Sequence, residues 1–244
     1  MDSPSRTIPA LLLAIGIAAG GWLAGQGFMK ARSIDRSVTV KGIAERDAQA
    51  DMAIWPLRLS AASDDLGQAQ QRLERDLATI RAFLLRHDLD PEAATLQAFS
   101  VSDAKTNQYG NGPGAGSRFV INQTLVVRST EPARVRAASE KVGELVAAGV
   151  VLSSGGDYGA GGPTYVFSGL NDLKPEMIAD ATARAREAAE QFARDSKSRL
   201  GSIRRANQGV FEILPRDQAP GMSQDSQIDK TVRVVATVEY SLED

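Results

Sequence analysis

The sequence contains no cysteine and a single histidine, His87. Without a thiol the chain forms no disulfide, carries no thiolate nucleophile and offers no thiolate ligand to a metal. A single imidazole also excludes clustered histidine metal sites and leaves any serine–histidine–aspartate machinery dependent on one residue. The composition therefore predicts no cofactor and no metal site, and it favours a non-enzymatic role.

Aromatic residues are scarce, at 5%, and neither sign of charge is in excess. The 28 Lys and Arg residues against 30 Asp and Glu residues leave a net charge of −2, which gives no general attraction to nucleic acid. Nucleic acid is therefore not an expected partner. At 244 residues, with 43% apolar and 24% charged residues, the chain is long enough to bury a core and too apolar to be disordered throughout.

The longest uncharged run is at the amino terminus, where 23 residues separate Arg6 from Lys30. As a helix, Ile8 to Met29 would reach roughly 33 Å, against about 30 Å for the hydrocarbon core of a bilayer. Large side chains interrupt the small residues that a cleavage site needs, so residues 1–33 are predicted to be an uncleaved membrane anchor. A cleaved signal is the alternative. The predicted membrane segment contains Ile8, Leu11, Leu12, Leu13, Ile15, Ile17, Trp22, Leu23, Phe28 and Met29.

Two segments with period-two alternation follow the anchor, Ser37–Glu45 and the stretch around Trp55. Because a short polar stretch separates them, they are predicted to pair as a β-hairpin. Ser63 is expected to cap the next helix, in which apolar residues recur at steps of three and four. This apolar stripe contains Leu66, Ala69, Leu73, Leu77, Ile80 and Leu84.

A second unit of two strands and a helix is predicted next. Its strands cover residues 95–102 and 119–128, and a glycine-rich connection joins them. Thr130 is expected to cap the helix and Gly149 to end it. The apolar stripe of that helix contains Val135, Ala138, Val142 and Leu145. Two such units in tandem predict a layered α+β fold.

The remaining chain is predicted to contain four strands and the longest helix of the domain. The strands are expected at residues 150–154, 164–169, 209–214 and 230–242, with a second glycine-rich segment between the first two. The helix is expected over residues 175–200, with Gly201 as its stop. Its buried line is predicted to contain Ile178, Ala181, Ala185, Ala188 and Phe192. In the closing strand, alternate residues from Val232 to Leu242 are expected to face the core.

Three groups of residues carry a family resemblance. They are Val38-Thr39-Val40-Lys41-Gly42, then Trp55-Pro56-Leu57-Arg58-Leu59-Ser60, and then Arg199-Leu200-Gly201 before Val210-Phe211-Glu212-Ile213. Together they make residues 36–242 resemble the SIMPL-domain family. They are packing and turn residues spread over the chain, with no catalytic signature among them.

The resemblance implies an exported bacterial envelope protein of poorly defined biochemical role. Some relatives look like ring-shaped or channel-like oligomers and others are linked to stress tolerance, so a homo-oligomer in the periplasm is expected. A soluble periplasmic protein, released by cleavage, is the alternative to attachment at the inner membrane. The family fold implies that residues 34–244 form two α+β lobes of antiparallel sheet and helices. The first lobe would comprise 36–93 plus 174–242, and the inserted lobe 94–173.

The candidate functional residues are Tyr109 and Tyr158, because aromatic side chains in long glycine-rich segments are suited to anchor an interface. Incidental tyrosines in solvated loops are the alternative reading. The preferred hypothesis is a non-enzymatic, membrane-anchored SIMPL-like module that binds or scaffolds other envelope components. The rival is an envelope hydrolase that uses carboxylates or the pair Ser102 and Lys105 in an interlobe cleft. His87 is expected to interact with the carbonyl groups at a helix end.

Overall fold

The computed structural model describes residues 13–23, 25, 36–104, 117–153 and 162–243. Within these residues the fold is α+β, as predicted, with two antiparallel sheets. The strands are β1 Ser37–Gln49, β2 Met52–Ser63, β3 Ala94–Asp103, β4 Phe119–Ser129, β5 Thr164–Val166, β6 Arg199–Gln208, β7 Glu212–Pro215 and β8 Asp229–Glu243. Besides an N-terminal helix over residues 13–23, the helices are α1 Leu66–Arg86, α2 Pro132–Glu140, α3 Gly143–Ala147 and α4 Leu170–Asp195.

The first sheet is organised around β8, its longest strand. β1 pairs with β8 along its whole length, while β6 and β7 pair with the opposite edge of β8. Alternate residues of β8 from Val232 to Tyr240 are buried, as the period-two pattern predicted. Helix α4 packs mainly on β1 and β8, so one face of this sheet is covered.

The second sheet has the strand order β3-β4-β2-β5, and α1 and α2 pack on it. Its core is built from the inward residues of β2 and β4 and from the apolar stripe of α1. Ala69, Leu73, Ile80 and Leu84 of the predicted stripe are buried and Leu77 packs against them, whereas Leu66 in the first turn is exposed. Phe83 also enters this core, where its ring meets Trp55 edge-on with 6.4 Å between the ring centroids.

The predicted hairpin between the first two strands is wrong, because β1 and β2 belong to different sheets. β1 pairs with β8, and β2 pairs with β4 and β5. Alternation along a strand reports that one face is buried, but it does not identify the neighbouring strand. Ala50 and Asp51, the two residues between these strands, form a crossover from one sheet to the other.

The Asp51 carboxylate organises this crossover. Its Oδ2 accepts hydrogen bonds from the backbone N and the Oγ of Ser168, at 2.9 and 2.8 Å, and from the backbone N of Gly169, at 3.1 Å. Gly169 is the cap residue of α4, so the carboxylate also lies at the positive end of that helix. Burial alone would raise the pKa of Asp51, but these hydrogen bonds outweigh burial and hold the pKa below its ordinary value.

Helix α4 starts earlier, ends earlier and buries a different face than predicted. It begins at Leu170 rather than residue 175, and it buries Met177 and a stripe of alanines at steps of four. These alanines are Ala181, Ala185, Ala189 and Ala193. Ile178 and Ala188 are only partly buried, Ala188 at the edge of the core, and Phe192 is 59% exposed, so the predicted buried line is wrong at Phe192.

The closest approach of α4 to the sheet explains that choice of face. A Cβ atom on Gly42 of β1 would lie 1.9 Å from the carbonyl oxygen of Ala181 and 2.5 Å from the backbone N of Ala185. Strand and helix backbones are thus nearly in contact there. Only methyl-sized side chains fit along this line, and the larger Ile178 and Phe192 are displaced to the sides.

Several predicted helix boundaries also need correction. Asp65, not Ser63, caps α1, because its side chain accepts from the backbone N of Gln68 at 2.9 Å. Thr130 does not cap the next helix, which begins at Pro132 and follows Glu131 without a side-chain cap. The single helix predicted up to Gly149 is broken into α2 and α3, with Lys141 and Val142 between them. Local turns therefore decide these boundaries within a correctly predicted region.

In the second half of the chain one predicted strand and one stop signal fail, and one strand was not predicted. Around residues 150–153 there is only an isolated bridge between Leu152 and Leu59, while residues 154–161 are outside the described part. Gly201 lies inside β6, a strand that was not predicted. The turn after α4 is made by Lys197 in the left-handed conformation, with Ser198 N donating to the carbonyl of Ala193 at 2.9 Å.

The N-terminal helix over residues 13–23 includes Leu13, Ile15, Ile17, Trp22 and Leu23 of the predicted membrane segment, all with exposed side chains. Ile8, Leu11, Leu12, Phe28 and Met29 lie outside the described residues. Among the residues that are described, no helix combines the length and the apolar character that crossing a bilayer requires.

The lobe boundaries implied by the family resemblance, 36–93 with 174–242 and 94–173, stay a prediction. Hydrogen bonding groups the elements by sheet: β1, β6, β7 and β8 lie with α4, and β2 to β5 lie with α1 and α2. The chain passes between the two sheets near Asp51 and near Gly169.

We expect Gly42→Ala to destabilise the domain by roughly 1–3 kcal/mol, because the added methyl group would overlap the α4 backbone and force strand and helix apart. Urea unfolding of residues 34–244, followed by circular dichroism, measures the loss. Gly143→Ala is the matched control, since no atom lies within 4 Å of the added methyl group. Equal stability of the Gly42→Ala variant and the wild type would contradict the close contact.

We expect Asp51→Ala to lower the free energy of unfolding by about 1–3 kcal/mol at pH 7, because three hydrogen bonds to a carboxylate are lost. The folded-state pKa is lowered, so this stabilisation is present above the ordinary pKa of about 3.9 and is lost as the pH falls through the folded value. Urea unfolding between pH 7 and pH 2 should show the gap between wild type and variant closing in acid. The exposed substitution Glu187→Ala should leave stability nearly unchanged, and a gap that widens in acid would refute the assignment.

Candidate functional site

Both predicted interface tyrosines lie outside the described residues: Tyr109 falls in 105–116 and Tyr158 in 154–161. The structure does describe the residues from which these two segments depart. On one side Asp103 and Arg118 flank residues 105–116, and on the other Ser153 precedes residues 154–161. Both departure points lie beside the second half of β2.

Arg118 fixes the departure of the first glycine-rich segment. Its Nε and Nη2 donate to the Asp103 carboxylate at 3.3 and 3.2 Å, and its backbone N donates to Asp64 Oδ1 at 2.9 Å. The guanidinium group also stacks on the Phe119 ring, 4.5 Å from the ring centroid. These contacts join the ends of β3 and β4 to the turn between β2 and α1.

The second glycine-rich segment departs from the free edge of β2. Ser60 N donates to the carbonyl of Val151 at 3.2 Å, and Ser153 N donates to the carbonyl of Arg58 at 2.8 Å. The two segments therefore leave from opposite sides of the stretch Arg58–Asp64. We define this part of the molecule as the β2 end.

A polar groove of about 360 Å³ opens at the β2 end, between the strand and the first three turns of α1. It is lined by Ala62, Ser63, Gln68, Gln71, Arg72 and Arg75. The four helix residues recur at steps of three, one and three, so they form a polar stripe beside the apolar one. This polar periodicity is visible in the sequence. It does not by itself indicate a site, because polar residues on a helix are ordinarily solvated.

Asp76 is the one acidic side chain buried in α1, with only 9% exposed. Its Oδ2 has no hydrogen-bond partner. Burial raises the pKa of Asp76, and the positive charges of Arg72 and Arg75 oppose that rise only in part. The carboxyl group thus feels the charges of the two guanidinium groups without forming an ion pair with either.

A second candidate surface lies along β3, the edge strand of the second sheet. In the part of the chain that is described, β3 pairs with β4 alone, and its side chains are exposed along almost its whole length. Leu96, Phe99 and Val101 are 47%, 56% and 46% exposed. Leu96 and Val101 pair with the buried Leu125 and Ile121, so they lie on the same face of the sheet as the core. They are exposed, and the apolar face therefore continues past the buried core.

A bulge interrupts β3 between Gln97 and Ser100, where Ala98 adopts a left-handed φ of 52°. The buried Gln123 side chain stabilises this bulge by donating from its Nε2 to the carbonyl of Gln97 at 2.8 Å. Bulges in edge strands break the regular row of open hydrogen-bonding groups and hinder continuous strand-to-strand pairing.

Of the Ser102 and Lys105 pair, the structure describes only Ser102. Ser102 is exposed on β3, where it pairs with Val120, and Lys105 lies outside the described residues. Elsewhere, the carboxylates of Glu176 and Asp180 do converge, but Arg46 binds both, at 2.8 and 2.5 Å. The hydrolase alternative therefore gains no support from these two arrangements.

His87 lies at the carboxyl end of α1, as predicted, where it is the cap residue. Its ring packs on Phe83 with 4.4 Å between centroids, and its Nε2 is 3.4 Å from a carboxylate oxygen of Glu144. A depression of about 480 Å³ opens nearby, but its Arg134 already binds Glu131 at 3.0 Å. No three potential metal ligands converge anywhere in the described ranges.

The fold and these surfaces define a two-sheet α+β protein with an open edge strand and a polar groove. The sequence profile of the family described as SIMPL, a protein of unknown function (DUF541), matches residues 38–240. The chain belongs to this family, as the resemblance of residues 36–242 predicted. A comparison with curated proteins finds no match.

Proposed function

We propose that this chain is a non-enzymatic, membrane-anchored protein of the bacterial periplasm that self-associates and acts as a binding or scaffolding module of the cell envelope. Family membership supports the comparison with envelope proteins, including those linked to stress tolerance. The observation that carries self-association is the apolar surface of β3. Leu96 and Val101 remain exposed beside the buried residues with which they pair, and Phe99, also exposed, lies in the bulge between them.

Covering these side chains with a second copy would remove apolar area from water at roughly 25 cal/mol per Å². The bulge at Ala98 interrupts the row of open backbone groups, so contact through side chains is favoured over an endless sheet. A closed oligomer is the arrangement that such an edge allows.

Membrane attachment is supported by the 23 uncharged residues between Arg6 and Lys30. They precede β1 in the chain, with residues 30–36 between, and the first residues of β1 pair with the last residues of β8. Attachment there would leave the second sheet, with β3 and the β2 end, free to meet other molecules.

Self-association is tested by light scattering on residues 34–244 and on the detergent-solubilised full chain. We expect an oligomeric mass for both, and a monomeric mass after Phe99→Lys, because the new charge would lie in the apolar contact. Val146→Lys is the matched control, since Val146 is equally exposed, at 61%, but lies on α3. Monomers in both wild-type samples would end the proposal, and an unchanged mass for Phe99→Lys would exclude β3 as the contact.

The placement is tested by protease treatment of intact cells, spheroplasts and lysed spheroplasts. We expect the domain to be digested once the outer envelope is opened, with the N-terminal segment remaining in the membrane fraction. A cytosolic protein of known location serves as the control for inner-membrane integrity. A domain that stays protected until the inner membrane is broken, or a full-length chain recovered in the soluble fraction, would contradict the placement.

A further inference from the structure

The groove at the β2 end presents hydrogen-bond donors and no carboxylate. Among its lining residues, Arg72 and Arg75 supply two guanidinium groups, Gln68 and Gln71 supply two amides, and Ser63 supplies a hydroxyl. Ser63 Oγ donates to Gln68 Oε1 at 3.4 Å, which leaves the NH₂ group of Gln68 for another acceptor. The groove is therefore suited to a ligand rich in acceptor oxygens.

The guanidinium groups of Arg72 and Arg75 are not neutralised by a direct contact with a described carboxylate. Within the residues that the structure describes, neither guanidinium group forms an ion pair or a hydrogen bond, in contrast to Arg46 and Arg118, which each bind carboxylates. Both arginines act on the charge of Asp76 through space, but neither forms an ion pair with its carboxylate. Whether Asp76 is charged or neutral, the sum of these three groups is positive.

The position at the start of α1 adds to the attraction for an anion. Gln68 is the third residue of the helix, so this side of the groove lies near the positive end of the helix dipole, whereas Arg72 and Arg75 lie one and two turns further along. The acidic residues Asp64 and Asp65 precede the helix, and each accepts from a backbone N–H: that of Arg118 and that of Gln68. Part of the hydrogen-bonding capacity of these two carboxylates is therefore used by backbone N–H groups of the chain.

We propose that this groove binds a phosphate group carried by a small soluble molecule, a phosphate monoester of sugar or glycerol size. Guanidinium groups match the oxygens of phosphate in pairs, and the neutral amide donors of Gln68 and Gln71 complete the set. A volume of about 360 Å³ is larger than one phosphate needs and falls at the small end of ligand pockets, so an organic phosphate fills it better than a free ion. This inference goes beyond the scaffolding role and does not depend on it.

Calorimetric titration of the detergent-solubilised full chain with glycerol 3-phosphate tests the proposal, with glycerol and acetate at equal ionic strength as comparison ligands. Saturable binding of glycerol 3-phosphate alone is expected. Arg72→Gln and Arg75→Gln should each weaken the Kd by about tenfold or more, because each removes a charged hydrogen-bond donor. Arg81→Gln is the matched control: Arg81 is exposed on the same helix and does not line the groove, so its Kd should stay within about twofold.

Circular dichroism melts of all three variants distinguish a lost ligand contact from a lost fold, and both groove substitutions are expected to melt with the wild type. Absence of saturable binding to the wild type would overturn the proposal. So would equal weakening by Arg81→Gln, or acetate binding as tightly as glycerol 3-phosphate. Binding to phosphatidylglycerol vesicles without binding to glycerol 3-phosphate would also overturn it, in favour of a lipid surface.

Discussion

The contact between Gly42 and helix α4 is the constraint on which the first sheet depends. At this point the helix backbone lies so close to β1 that no side chain fits between them. The closeness explains why α4 buries a run of alanines, and why its larger side chains lie at the flanks. A small-residue interface of this kind obtains its stability from close backbone packing rather than from large buried side chains, since dispersion contacts fall off steeply with any gap. The long strand β8, buried at every second residue, provides the surface on which that packing rests.

The second sheet is held to the first through the crossover at Asp51. The Asp51 carboxylate lies between β1 and β2 and accepts from Ser168 and Gly169 just before α4, so the positions of β2 and α4 are coupled. Two backbone hydrogen bonds add to the junction, from Ala50 N to Ile228 O, at 2.8 Å, and from Asp51 N to Val166 O, at 3.0 Å. Lys230 contributes there as well: it is buried, burial lowers its pKa, and its Nζ donates to the carbonyl of Gln224. The second sheet carries both candidate surfaces, one along β3 and one at the β2 end.

The two candidate surfaces differ in chemistry and in how sequence could have revealed them. The β3 surface is apolar and depends on a strand that has no second neighbour among the described residues. Its residues Leu96, Phe99 and Val101 were expected in a strand, but nothing in their order distinguishes an edge strand from a central one. The groove at the β2 end depends on Ser63 lying beside Arg72 and Arg75, which are neighbours only because β2 turns directly into α1. Asp76 adds a signal visible in sequence, because it interrupts the apolar stripe between Leu73 and Ile80 at a position where a helix faces its core.

The sequence by itself determined the local elements and the family. Steps of three and four in α1 and alternation in β8 each report one buried face, and these are properties of neighbouring residues along the chain. The SIMPL resemblance followed from short packing strings of the same local kind. Tertiary structure decided which strands pair. β1 pairs with β8, although most of the chain separates them in sequence, and β2 pairs with β4 rather than with β1. It also decided which face of α4 is buried and where arginines meet a strand end, because these depend on backbone separations that no periodicity encodes.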